Sequence, residues 1–186
     1  MKTLDRVLQR WRIRKAAPYI APGISILDIG CYDGALFKEL KDHISFYVGV
    51  DPLDYPSLND SRSRRIVGVF PDDIPEIGPF DVITMLAVLE HFPLDRLKTL
   101  PLHCAKYLKS GGLLVVTIPS PSVDYILKFF KWIRIIEAVG LREHYGLAPE
   151  IIPSIFCREY FDLKVKESFQ LGLNNLLVFQ KKGRHL

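Results

Sequence analysis

At 186 residues, 48% hydrophobic and 25% charged, the chain carries enough apolar material for one globular core that needs neither disulfide nor metal to fold. Three scattered cysteines (Cys31, Cys104, Cys157) with no C-x-x-C pair exclude a disulfide framework and argue against zinc. The net charge of +4 is mild, and no apolar run approaches the ~20 residues of a membrane span.

The charge is uneven. Residues 1–20 hold six basic side chains (Lys2, Arg6, Arg10, Arg12, Arg14, Lys15) against Asp5 alone. Such a basic end is either a solvated helix face or a contact for phosphates or an anionic membrane surface. No apolar signal-peptide core follows it, so the expected location is cytoplasmic.

Leu4, Val7, Leu8, Trp11 and Ala16 recur at near-helical spacing and predict an amphipathic helix over 3–16, closed by Pro18 and Pro22-Gly23. A short apolar strand is expected over 24–29 and a helix over 33–42, with Leu36, Phe37 and Leu40 inward. Further strands are expected over 46–50, 66–69 and 80–86, with a polar stretch at 53–64. A helix lies within 94–109, kinked or restarted by Pro101. Ser110-Gly111-Gly112 reads as a tight turn before a strand over 113–118. Strands over 161–168 and 176–182 are joined too closely for a crossover, so they pair antiparallel. Continuous Val/Ile/Leu strands separated by helices imply a parallel sheet covered on both faces. Right-handed crossovers then make it an α/β doubly wound fold. Residues 1–186 read as a single domain, with an N-terminal helix over 1–20 that packs near the site and a helical insertion over 120–150.

In such a sheet, ligands bind at the carboxyl ends of the strands where the winding reverses. The stretch "ILDIGCYDG", residues 26–34, is a strand running into a glycine turn that opens a helix. Gly30 and Gly34 permit a sharp turn and close backbone approach. The exposed amides of the helix start suit a carboxylate. Asp51 closes the next strand, 23 positions after Asp28, and its carboxylate suits the two hydroxyls of a ribose.

With these residues the chain resembles the class I S-adenosylmethionine-dependent methyltransferases, over roughly residues 20–182. "ILDIGCYDG" is similar to that superfamily's first motif, "GVDP" to its ribose-binding acid, "FDVITMLAVLEHF" to its fourth-strand motif, and "LKSGGLLVVTIPSP" to its helix, turn and fifth strand. The closing antiparallel pair is similar to the reversed last strand of that Rossmann-like, seven-stranded fold, which dinucleotide dehydrogenases lack. The resemblance implies S-adenosylmethionine as cofactor. It implies that Asp28 and Gly30 border the methionine end, that Gly34 packs the helix close, and that Asp51 takes the ribose. Cys31, Tyr32, Pro52 and Leu86 border the same site. Tyr32 stands at the motif's middle glycine, and the turn survives if Tyr32 has a negative φ and its side chain points away. Phe70 stands where the family often carries an acid for the adenine amino group. Either Asp72 or Asp73 serves instead, or Phe70 stacks on the ring.

The candidate bases for the acceptor are Glu90, His91 and His144, needed only where the acceptor must lose a proton early. Glu90-His91 also suits a structural or cofactor-side role, and His144 suits a surface position. His43 and His103 fall in helices away from the site. No metal is expected. In "SVDYILKFFKWIRIIEAVG" an apolar stripe and a basic stripe share one helix: a core helix, a lid over an apolar acceptor, or a helix for a partner or membrane surface. The function expected is methyl transfer to oxygen or nitrogen of a small metabolite, with the apolar lid favouring a hydrophobic or aromatic acceptor over a sugar or other biosynthetic one. RNA methylation is the alternative suggested by the basic ends. No Asn/Asp-Pro-Pro-aromatic motif follows the fourth strand, and no RNA-binding module is appended. A non-catalytic scaffold is the third reading.

Overall fold

The computed structural model describes residues 3–56, 58–120 and 149–183. Seven strands form one sheet: β1 (Ile24–Ile29), β2 (Ile44–Asp51), β3 (Ser63–Val67), β4 (Phe80–Leu86), β5 (Leu108–Pro119), β6 (Phe161–Phe169) and β7 (Asn174–Lys181). Their order is β3-β2-β1-β4-β5-β7-β6. The first five pair in parallel, and β7 runs antiparallel to both β5 and β6. This is the expected α/β architecture with its reversed last strand.

Burial on both faces explains why the inner strands β1, β2, β4, β5 and β7 are largely apolar. Val48, Leu27, Ile83, Leu114 and Phe179 are register partners across five strands, and all belong to one core cluster. Their chain neighbours Tyr47, Ile26, Val82, Val115 and Val178 belong to a second cluster on the opposite face. Helices α3 (Leu94–Leu97), α4 (Leu100–Tyr107) and α5 (Ile152–Phe156) cover the first face with Leu97, Leu100, Cys104, Ile152 and Phe156. Helices α1 (Thr3–Ala16) and α2 (Ala35–Leu40) cover the second with Ile13, Ala16, Leu36 and Phe37. The inner strands, buried on both faces, have little room for alternating polar residues, whereas edge strand β6 alternates exposed and partly buried positions.

Several boundaries differ from the sequence reading. The 94–109 helix is two helices, because Pro101 sits in the first turn of α4, where its missing N–H costs nothing. The 33–42 helix is shortened to Ala35–Leu40, since Gly34 has φ +72° just before it. β3 starts three residues earlier than expected and carries Arg64 and Arg65, an edge strand with one neighbour needing no apolar run. Ser110 to Gly112 is no free turn: it lies inside β5 as an irregularity opposite Phe80 and Val82, with φ +74° at Gly111. All three cysteines are free.

Helix α1 is held to the body at several points. Gln9 Nε2 donates to Asp33 (3.3 Å), Arg10 pairs with Glu39 (3.0 Å), and Lys15 pairs with Glu167 (2.9 Å). Gly34 is tight against Leu58, whose δ-carbon would stand 2.6 Å from a Cβ placed there. Gly34→Ala combines the positive φ with that contact, and is expected to lower unfolding free energy in urea by about 1–3 kcal/mol. The far end of Leu58 can give way, so the left-handed backbone supplies most of the loss. Among the described residues no helix is long and apolar enough to cross a membrane.

Candidate functional site

The parallel sheet winds outward from β1 in both directions, so loops on its two sides part between β1 and β4. A cavity of about 890 Å³ opens there, at the carboxyl ends of β1, β2, β3 and β4. Its wall includes Asp28, Gly30, Cys31, Tyr32, Asp51, Pro52, Phe70, Asp72, Leu86 and His91. Every cofactor-site residue singled out from the sequence is therefore brought together except Gly34, which stands outside the wall and packs α2 against Leu58. His43 and His103 also stand outside it. His144 and the 121–148 segment lie outside the described residues.

The glycine turn is anchored to the neighbouring strand. Gly30 and Cys31 both donate to the Val50 carbonyl, at 2.8 and 3.2 Å, and Gly34 donates to the Cys31 carbonyl at 2.8 Å. Gly30 has φ +73°, and a Cβ there would stand 2.3 Å from Val88. The absent side chain thus lets the first turn pass under the loop after β4. Burial pushes the Cys31 thiol up to about 12, so it stays protonated and acts as a small apolar wall group.

Tyr32 departs from expectation. Its φ is +47°, in the left-handed region, instead of negative. That conformation costs a non-glycine residue roughly 1–2 kcal/mol. It is held on every side. The Tyr32 amide donates to Asp51 Oδ2 (2.9 Å), and its carbonyl accepts from Arg65 Nη1 (2.6 Å). The Tyr32 ring packs on Tyr55 with centroids 4.5 Å apart. A hydrogen bond with Tyr32 is also the main reason the Tyr55 phenol is pushed up to about 12.

Asp51 is buried, and each carboxylate oxygen takes one backbone amide, Tyr32 on Oδ2 and Leu53 on Oδ1, both at 2.9 Å. A carboxylate has about four lone-pair positions, so acceptor capacity remains for two hydroxyls. Asp28 lies deeper. Its register partners are Gly49 on β2 and Thr84 on β4. Thr84 Oγ1 donates to it at 2.6 Å and Tyr47 Oη at 2.7 Å. Burial raises the Asp28 carboxyl to about 6, the two hydroxyl bonds pull the other way, and the charge of Asp51 adds to the rise.

Beyond the end of β3, Phe70 is buried and meets Tyr107 edge-on at 5.8 Å. Asp73 Oδ2 caps its own turn by accepting from the Val69 amide (2.7 Å), and Asp72 pairs with Arg96 (2.6 Å). All four of these cavity residues, Phe70, Asp72, Asp73 and Arg96, stay on the wall. Beyond the end of β4, Leu89–His91 forms a 3-10 turn that buries Glu90 and places His91 on the wall. Among the described residues no group of three or more His, Cys, Asp or Glu side chains could hold a metal ion.

Tyr47, Thr84, Arg65 and Arg12 were not legible as site residues. Tyr47 and Thr84 sit in apolar strands, and only the register shows that they flank Asp28. Arg12 sits in the basic helix start, and α1 brings it with Gln9 and Ile13 onto the cavity wall, as expected of a helix that packs near the site. Burial lowers the Arg12 pKa, while Glu90 and Asp5 counter this.

A cavity at the reversal of strand order, an acid closing β2 with open lone pairs, and a turn bare of side chain at Gly30 fit an adenosyl cofactor. A family model described as "Methyltransferase domain" matches residues 2–150. The chain belongs to this methyltransferase family. Members of its superfamily, the class I S-adenosylmethionine-dependent methyltransferases, share the fold and the methyl donor. This methyltransferase chain is 29% identical over 137 residues to the mitochondrial ubiquinone biosynthesis O-methyltransferase of Candida albicans, covering 65% of the chain and 40% of that protein. It is 32% identical over 122 residues to the tRNA U34 carboxymethyltransferase of Proteus mirabilis, covering 57% of the chain and 36% of that protein. The chain thus spans about two-fifths of the length of these curated relatives. Among solved structures, the methyltransferase fold is similar to N-methyltransferase NodS from Bradyrhizobium japonicum in complex with S-adenosylhomocysteine (TM-score 0.69, 18% identity, 95% of this chain and 88% of that one).

Proposed function

We propose that the protein acts as one methyltransferase domain, moving a methyl group from S-adenosylmethionine to an oxygen or nitrogen of a small, largely apolar metabolite. The observation that carries this reading is the 890 Å³ cavity over Asp28 and Asp51. Small-molecule sites span roughly 300–1,000 Å³, so this volume suits a cofactor with an acceptor beside it. The relatives named above, one of which is an O-methyltransferase, support the oxygen reading; the NodS likeness is one of fold.

When bound, the cofactor supplies an electrophilic methyl on a sulfonium. The chain's own residues bind, orient and exclude water. Asp51 holds the ribose hydroxyls, and Asp28 with the Gly30 turn borders the methionine end. Pro52, Leu86 and Phe70 provide apolar wall, with Asp72 or Asp73 at the adenine side. Val88, Phe92 and Pro93 line the same cavity, so the acceptor meets an apolar surface. Holding acceptor and methyl in line is worth a large part of the rate. His91, on the same wall, is the residue proposed to take a proton where the acceptor must lose one.

The tRNA-modifying relative favours a second reading, an RNA acceptor. Calorimetric titration with S-adenosylmethionine and S-adenosylhomocysteine is expected to give micromolar binding. Titration with tRNA across a salt series is expected to give no steep salt dependence. Cofactor binding without RNA binding supports the small-molecule reading. A steep salt slope would replace it with the RNA one, and silence toward both nucleosides would leave a non-catalytic scaffold.

A further inference from the structure

We propose that Arg65 is a positioning residue for the cofactor turn, locking the left-handed Tyr32 so that its amide is presented to Asp51. The proposal rests on the reading of Asp51 as the ribose-binding acid. Four hydrogen bonds close a ring between the loops after β1 and β2. Arg65 Nη1 donates to the Tyr32 carbonyl (2.6 Å) and Nη2 to the Leu53 carbonyl (2.9 Å). The amides of the same two residues donate to the two oxygens of Asp51, each at 2.9 Å. One guanidinium thus takes both carbonyls and one carboxylate takes both amides.

Arg65 is outside the cavity wall, on edge strand β3, opposite Gly49 of β2. Its hydrogen bonds toward the site go to Tyr32 and Leu53. Its guanidinium also lies 5.3 Å from the ring of Tyr55, which packs on Tyr32. A planar fork with two parallel donors can span two carbonyls, and an ammonium cannot do so with the same geometry. A glycine at position 32 would adopt φ +47° unaided, so the lock is needed because the residue is tyrosine.

The test is a double-mutant cycle read by calorimetry with S-adenosylhomocysteine, using R65Q, Y32G and R65Q/Y32G, with cooperative thermal unfolding checked for each. R65Q in the tyrosine background is expected to raise Kd by about tenfold or more. In the glycine background the same substitution is expected to change Kd by less than about threefold. Equal losses in both backgrounds would overturn the proposal, as would an R65Q protein that binds like the parent. If R65Q does not fold, R65K replaces it in the same cycle with the same expectation. Exchange of the Tyr32 amide, followed by NMR without ligand, is expected to quicken in R65Q. That readout stands apart from the cofactor: a parent protein silent toward the nucleoside would remove the functional reading, while unchanged amide exchange would remove the lock.

Discussion

Asp51→Ala is expected to weaken S-adenosylhomocysteine binding by about a hundredfold or more in calorimetric titration, with the protein still folded. A hydrogen bond to a charged group is worth about 1.5–3 kcal/mol, and losing two to the ribose accounts for that factor. The same change removes the partner of the Tyr32 and Leu53 amides. The left-handed Tyr32 then keeps only its carbonyl and ring contacts, so the turn loosens as well. Asp51→Asn keeps one accepting oxygen and is expected to fall between the two, nearer the alanine variant, because its amide group cannot accept the second backbone N–H. Binding within about threefold of the parent in Asp51→Ala would remove Asp51 from the site, and the ribose reading with it.

The second large effect is on stability against pH. The Asp28 carboxyl sits at about 6 in the folded protein, raised from 3.8 by burial. The folded state then holds its proton more tightly than the unfolded chain. Between these two values the folded state binds more protons, so stability falls as pH rises through the window from about 4 to about 6. Above it the carboxylate is charged in a buried setting, and the penalty is constant. A rise of about two pKa units corresponds to about 3 kcal/mol. Urea unfolding of the parent and Asp28→Asn at pH 4 and pH 7 should show this as a change in their difference: pH 4 already lies just above the unfolded value, so the parent is expected to lose about 2 kcal/mol of the full change relative to the variant on going to pH 7. Effects of Asn that do not depend on pH cancel in that comparison. A difference that stays flat would mean that the Thr84 and Tyr47 hydroxyls offset burial fully.

Asp28 also shows how unevenly the site is legible. Its place after Ile26 and Leu27 in a short apolar strand, two positions before Gly30, marks it as a strand-end acid at once. Nothing local marks Tyr47 and Thr84 as its partners, because a tyrosine and a threonine inside apolar strands read as ordinary strand residues. Parallel register alone sets Thr84 beside Asp28, across a pairing of residues 56 positions apart.

Tyr32 and Arg65 are a second case. The departure from glycine at position 32 is visible in the chain, and a negative φ is the ordinary expectation for tyrosine. The opposite sign requires contacts from the end of β2, the loop after it and β3. Arg65 lies in a stretch whose strand begins earlier than its apolar residues suggest, because an edge strand is held by β2 on one side only.

What the sequence determined by itself is the order of strands, the glycine turn after β1, the acid closing β2, and the antiparallel ending; the short helix Ile152–Phe156 left no periodic signal. Each is written in short-range periodicity and turn chemistry, which act over a few residues. Tertiary structure alone decided which side chains face the 890 Å³ cavity, the buried setting that raises Asp28, and the hydrogen-bonded ring through Arg65. Those depend on register and on contacts between distant segments, and pairing energies of that kind leave no local mark in the chain.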